Sequence, residues 1–289
     1  MRWSKAFHYL GAAAILALAG TGGWAAKSPT VAPTPPRRIV SLNMCSDQYL
    51  LALADRGQIA GLTRNARNRD MSAAADQVGN LHTLSQSAEE ILAIDPELVV
   101  GMPARRGSLM AALSRQNYPV VDLKSAESYA DIIEQIRTVA KAVGHPDRGE
   151  ALIARMDREL AALPRPGNAA VAAYYQRRGY LTGTGTLVDD LMTRVGLTNL
   201  ASKLSRPVLS QLSLEELVAA QPDYLIVESA TDRVTDQGTE MLHHPALSGM
   251  KRLHIPQAWT VCGGPAYVLA ARSLAQQLTA AEEKRVSTR

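Results

Sequence analysis

Among 289 residues the chain has a single phenylalanine and two cysteines, and aromatic side chains make up only 4% of it. Cys45 and Cys262 stand far apart, in neither a Cys-x-x-Cys nor a zinc-finger spacing, so no disulfide framework carries the fold. There is no His-Glu-x-x-His, no Ser-His-Asp arrangement and no histidine-rich loop. The residue sets that hydrolases and free-zinc carriers need are therefore missing, and the chain is not expected to be an enzyme. Thr182-Gly183-Thr184-Gly185-Thr186 lacks both the third glycine of a dinucleotide fingerprint and the Gly-Lys-Ser/Thr of a P-loop. It reads as a tight turn in which Thr186 caps the following helix, with Asp189 completing the box. The formal charge of +4 is spread along the chain, unlike the basic stripe of a nucleic-acid binder.

No apolar run is long enough to cross a bilayer core, which takes about 20 residues. What stands at the N-terminus is shorter. Arg2 and Lys5 precede an apolar stretch from Tyr9 to Ala19, followed by the small residues Gly20 to Gly23. That order is the pattern of a secretory signal peptide, with cleavage expected after Ala25. Leu18-Ala19-Gly20-Thr21 has threonine where a lipoprotein signal needs cysteine, so no lipid anchor is expected. A soluble periplasmic protein follows.

Hydrophobic residues at 46% and charged residues at 20% suit a folded protein, and the length can bury two cores. Residues 26–36 are proline-rich and read as an extended tether. From there short apolar runs alternate with helical spacing. Strands are expected at Ile39–Leu42, Ile59–Leu62, Leu98–Val100 and Val120–Leu123, then at Ala169–Tyr175 and Tyr224–Val227. Helices are expected at Asp47–Ala54, Leu187–Val195 and Leu214–Ala220. A further helix between His145 and Leu163 has Pro146 at its start and Leu152, Met156, Leu160 and Leu163 along one face. Such alternation predicts an α/β fold with mostly parallel sheets. The divisions are 37–145 for a first lobe, 146–163 for a connecting helix and 164–289 for a second lobe.

The second half repeats the first. Ser87-Ala88-Glu89-Glu90-Ile91-Leu92-Ala93-Ile94-Asp95-Pro96 aligns with Ser213-Leu214-Glu215-Glu216-Leu217-Val218-Ala219-Ala220-Gln221-Pro222, each a helix feeding a strand through a proline turn. Ser87 with Glu90, and Ser213 with Glu216, have capping-box spacing. Glu89 and Glu215 have no such local task. Either they only favour the helix dipole, or they face a partner.

The strand and loop Arg38-Ile39-Val40-Ser41-Leu42, the two glutamate units and Trp259 through Pro265 resemble the periplasmic binding proteins of vitamin B12 and iron-siderophore ABC importers. The likeness covers nearly the whole mature chain. It implies two Rossmann-like lobes joined by one long helix, and no cofactor. It also implies a surface glutamate on each lobe, here Glu89 and Glu215, docking on the two subunits of a membrane permease. A pseudo-symmetric pair of acids suits a two-fold partner.

Ligands of open parallel sheets sit beyond the strands' carboxyl ends. Arginines recur there: Arg64, Arg67 and Arg69, then Arg105 and Arg106, then Arg177 and Arg178. Guanidinium groups bind carboxylate and phosphate, which predicts an anionic ligand. Tyr174, Tyr175, Tyr180, Trp259 and Tyr267 offer the second lobe an apolar face, although alternation along a strand places at least one of Tyr174 and Tyr175 in the core. The resemblance puts Tyr180 and Trp259 where aromatic residues contact the corrin ring. Where that family offers a tyrosine in the first lobe this chain has Asn65, which leaves anionic chelates other than intact cobalamin open. Three roles are open for Cys45 and Cys262: a disulfide, metal or ligand contact, or no special role. The B12-binding family's own disulfide does not match these positions.

The expected ligand site is thus Cys45, Arg64, Asn65, Arg67, Arg105, Tyr180, Trp259 and Cys262. The protein is expected to work as a monomer that binds a ferric siderophore or corrinoid and meets a permease dimer, with no nucleic acid and no resident metal. Haem is the alternative ligand, a tyrosine taking its iron. Zinc at His243, His244 and His254 ranks below it.

Overall fold

The computed structural model describes residues 34–85, 87–101 and 113–287. The signal peptide, most of the tether, and Arg105 and Arg106 lie outside these residues. The first sheet holds β1 (Ile39–Ser41), β2 (Ile59–Thr63), β3 (Thr83–Leu84), β4 (Leu98–Gly101) and β5 (Val120–Asp122), in the order β3-β2-β1-β4-β5. All its pairings are parallel. Every residue of β1 and β4 is buried, as strands covered on both faces require.

The second sheet holds β6 (Val171–Gln176), β7 (Tyr180–Thr182), β8 (Thr198–Asn199), β9 (Leu209–Gln211), β10 (Tyr224–Glu228) and β11 (Arg252–Ile255). Its order is β11-β10-β6-β7-β9, with β8 also paired to β6. The partners β8, β10 and β11 run parallel, as the alternation predicts. β7 and β9 do not. Only Arg177–Gly179 separates β6 from β7, far too short for a crossover helix, so the chain turns back into a hairpin through left-handed residues at Arg178 and Gly179.

Helices fill the remaining intervals: α1 (Met44–Leu53), α2 (Ala88–Ile94), α3 (Tyr129–Ala142), α4 (Pro146–Ala161), α5 (Leu187–Arg194), α6 (Leu214–Ala220) and α7 (Tyr267–Ser287). α4 is the connecting helix, opened by Pro146 and burying Leu152, Ile153, Met156 and Leu160 on one face. The duplicated units keep the same ends. α2 and α6 are capped by Ser87 and Ser213, and each stops at a left-handed residue, Asp95 or Gln221, just before its proline. They differ in one respect. Glu216 returns its carboxylate to the Ser213 amide at 3.0 Å, completing the box. Glu90 bonds the Ser85 amide and hydroxyl instead, both at 2.6 Å, with His82 at 2.9 Å. Partners on either side of β3 draw the Glu90 carboxylate away from its own cap. Thr186 accepts from the Asp189 amide as expected, but the Asp189 carboxylate reaches the Gly185 amide rather than that of Thr186.

The expectation of two separate cores gives way to one cluster. Ile39, Leu98 and Val100 of the first sheet connect through Ile132 and Ile136 of α3 and Leu152 and Met156 of α4 to Tyr174, Ile226 and Leu253 of the second. Each sheet has two faces, and only the opposite faces keep private clusters: Val40, Leu84 and Ile91 in the first lobe, Ala173, Tyr175, Leu217 and Val227 in the second. Burying a side chain such as Ile136 completely contributes about 1.5–3 kcal/mol. α7 closes the second lobe by packing on β11, α4 and α5.

Candidate ligand cleft

Where the carboxyl ends of the two sheets meet, the first lobe contributes a rigid entry loop. Asn43 caps α1, its side chain accepting from the Ser46 amide at 2.9 Å while the Ser46 hydroxyl accepts from the Asn43 amide at 3.2 Å. Asp47, fully buried, accepts from the Thr63 amide at 3.0 Å and the Thr63 hydroxyl at 2.5 Å. Burial pushes its carboxyl above the usual range, and the bonds from Ser41 and Thr63 pull it back only in part. Asp47 thereby pins the end of β2, from which Arg64 and Asn65 emerge exposed.

In the second lobe the ends of β6 and β10 lie side by side. Tyr174 is buried, and its hydroxyl reaches Glu228 Oε1 at 3.3 Å and the Thr260 side chain. Burial raises the Glu228 carboxyl above its usual value, opposed by Tyr174 and the Arg177 charge. Trp259, half-buried, packs on the central cluster and immediately precedes Thr260. Tyr180 stands on the β7 hairpin opposite Gln176 and is 36% exposed.

The two lobes are joined covalently at this level. Cys45, just past β1, forms a disulfide with Cys262, seven residues past β11, with 5.3 Å between their Cα atoms across 217 residues of sequence. Paired cysteines hold no free thiolate, so the metal-contact and no-role options for them fall away, and Cys262 is buried. Alongside, the Tyr49 hydroxyl donates to the Gly263 carbonyl at 2.5 Å. A cavity of about 470 Å³ lies beside this joint rather than at the strand ends, between Gln48, Leu152, Met156, Val268 and Arg272.

The arginine set is weaker than its positions suggest. Arg67 donates to the carbonyls of Gly79 and Leu81 at 2.7 and 2.9 Å, Arg69 pairs with Asp76, and Arg177 pairs with Asp236. Loop backbone and acids close by in the fold consume these guanidinium groups, whereas Arg64, also after β2, is exposed. Tyr267 is also corrected: it is buried, stacked on Tyr129 at 5.4 Å, and bonded to Asp190 and Arg194. Tyr174 and Tyr175 are both core, on opposite faces of β6. His243 bonds the Thr231 carbonyl at 2.8 Å, and the His244 ring accepts from the Ala246 amide at 3.2 Å. Among the described residues no three His, Cys, Asp or Glu side chains converge on a metal position.

Residues 39–252 match the family described as periplasmic binding protein. The chain belongs to that family. A cobalamin-binding protein of Halobacterium salinarum is 24% identical over 205 residues, 69% of this chain and 56% of the relative, so the chain spans little more than half of that protein. A vitamin B12-binding protein of Pectobacterium carotovorum is 24% identical over 262 residues, 87% of this chain and 91% of its own length. Among solved structures, a periplasmic haem-binding protein of Roseiflexus sp. RS-1 superposes with a TM-score of 0.65 at 25% identity, covering 84% of this chain and 97% of that one. A possible iron-binding periplasmic solute-binding protein of Staphylococcus epidermidis superposes with a TM-score of 0.69 at 15% identity, over 85% of this chain and 99% of the other. These two solved structures share the two-lobed α/β architecture.

Sequence reasoning missed Asp47 and Glu228 as residues that build the strand ends. A count of cations after each strand passed over the acid that ends β10, although Glu228 directly follows the apolar run Tyr224–Val227. Including acids in that count would have found it.

Proposed function

We propose that this protein is the periplasmic substrate-binding component of an ABC importer. It takes a metal chelate, a ferric siderophore or corrinoid, between the carboxyl ends of its two sheets and carries it to a permease. The observation that carries this is the meeting of both sheets' carboxyl ends at the Cys45–Cys262 bond, with Arg64 and Asn65 on one lobe and Tyr180, Trp259 and Glu228 on the other. Membership of the periplasmic binding protein family supports the same role, and its relatives are named as binding proteins. Residues 37–145 and 164–289 act as the lobes, 146–163 as their connector, and the protein acts as a monomer after loss of residues 1–25.

Glu89 and Glu215 serve as the docking pair. α2 opens where β3 leaves the carboxyl edge of the first sheet. α6 opens where β9, which runs in the same direction as β6, leaves that edge of the second. Both acids lie in an exposed first helical turn on the side where the cleft opens. A two-fold permease would meet one acid on each lobe.

Once residues 1–25 are removed, Trp259 is the only tryptophan, so its fluorescence reports on the cleft. Titration with ferric hydroxamate, ferric dicitrate, cobalamin, cobinamide and haem is expected to give saturable quenching by one chelate class. A Soret shift would select haem, with Tyr180 as the iron ligand. No binding by any of the five ends the proposal.

A further inference from the structure

Glu228 occupies an unusual position for an acid. It closes β10, is half-buried, and lies on the same sheet face as Ile226 and Tyr174. Its Oε1 accepts from Tyr174 at 3.3 Å, while Oε2 has no hydrogen-bond partner among the described residues. Arg177, the cation whose charge acts on it, is already paired with Asp236. Oε2 is not sealed from solvent, and an ionised carboxylate there only accepts, from water or from a ligand donor that displaces it.

The position is held by design of its neighbours. Tyr174 is anchored in the core and its hydroxyl is shared with Thr260, the residue after Trp259. The Tyr174 hydroxyl thus ties the end of β10 to the segment that carries Trp259. Three of the arginines that would have welcomed an anion are spent elsewhere. The second lobe therefore presents an acid at the end of β10, beside the loop after β11 that carries Trp259. A polycarboxylate ligand would bring like charge against Glu228, whereas an amide-bearing macrocycle would bring N–H donors to it.

We propose that Glu228 is a specificity-determining residue of the cleft, its free oxygen accepting a hydrogen bond from an amide N–H of the ligand and selecting amide-bearing chelates over polycarboxylate ones. This rests on the chelate-binding role proposed above. Cyanocobalamin, whose periphery is rich in carboxamides, is the favoured probe, and ferric dicitrate and haem are the disfavoured ones.

The experiment is calorimetric titration of the wild type, E228A and E228Q with cyanocobalamin, ferric dicitrate and haem, with circular dichroism melting to confirm that each variant folds. The wild type binds cyanocobalamin best. E228A loses about tenfold or more in affinity for it, the usual loss for a hydrogen bond to a charged group. E228Q keeps an acceptor oxygen, so it holds cyanocobalamin more tightly than E228A does, and it gains affinity for ferric dicitrate because the repulsion is gone. A wild type that prefers ferric dicitrate or haem, or an E228A that binds every probe as the wild type does, overturns the assignment and leaves chelate binding standing. A wild type that binds none of the probes overturns both.

Discussion

The Tyr49 hydroxyl of the first lobe donates to the Gly263 carbonyl of the second at 2.5 Å, one helical turn from the Cys45–Cys262 disulfide. The loop before α7 is therefore fastened to α1 twice, once by a covalent bond and once by a buried hydroxyl. Gly263 also lies so close to Ala126 that a β-carbon on it would stand 2.2 Å from the alanine methyl. Relative movement of the lobes has to strain or break this fastening, so it is where substitutions should be felt most sharply.

Gly263→Ala is expected to lower stability by about 1–3 kcal/mol through overpacking. Thermal melting of the single variant and of Gly263→Ala with Ala126→Gly checks the cause. The second change removes the opposing methyl and should recover part of the loss. Equal melting of the two variants would assign the loss to something other than this contact.

Replacing both Cys45 and Cys262 by serine is expected to cost about 2–4 kcal/mol, the usual range for removing a native disulfide, here closing a very long loop. Urea unfolding with and without reductant provides the test. Wild type with reductant should unfold near the variant's midpoint, and the variant should ignore the reductant. A wild type whose midpoint does not move with reductant would show that the bond adds no stability.

Asp47 sets a pH dependence of defined sign. Its carboxyl is raised by burial, so the native state holds that proton more tightly than the unfolded chain does. The associated stability is complete below the unfolded value of 3.8 and is lost as pH rises through the higher folded value. Asp47→Asn carries no such titration. Compared across a pH series, the variant's deficit relative to wild type should be greatest at low pH and shrink as pH rises through that window. A deficit that is flat from pH 3 to 8 would remove Asp47 as the source.

Glu89→Ala with Glu215→Ala should leave chelate affinity within about twofold of wild type, because surface charges away from the ligand contribute little to its binding. Transport into cells or proteoliposomes should be abolished. Normal transport by the double variant refutes the docking role, and each single variant should show an intermediate rate if both lobes are engaged.

The duplicated units show how far local chemistry carries. Ser87 and Ser213 cap their helices where the spacing predicts, and the left-handed stops before Pro96 and Pro222 repeat in both lobes. Those features depend on neighbours within a few residues. The exchange of Glu90 from its own cap to Ser85 and His82 depends on how β3 leaves its sheet, which no spacing rule contains.

Strand and helix alternation, the helix opened by Pro146, and the places where the loops after the strands begin were all written in short-range pattern, because periodicity and caps are properties of contiguous residues. Pairing of Cys45 with Cys262, merging of one face of each sheet into a single apolar cluster, consumption of Arg67 by the Gly79 and Leu81 carbonyls and of Arg177 by Asp236, and the Tyr174 bond to Glu228 at the strand ends were decided in three dimensions. Each depends on which distant segment folds against a side chain, and a partner 217 residues away leaves no trace in the local order of residues.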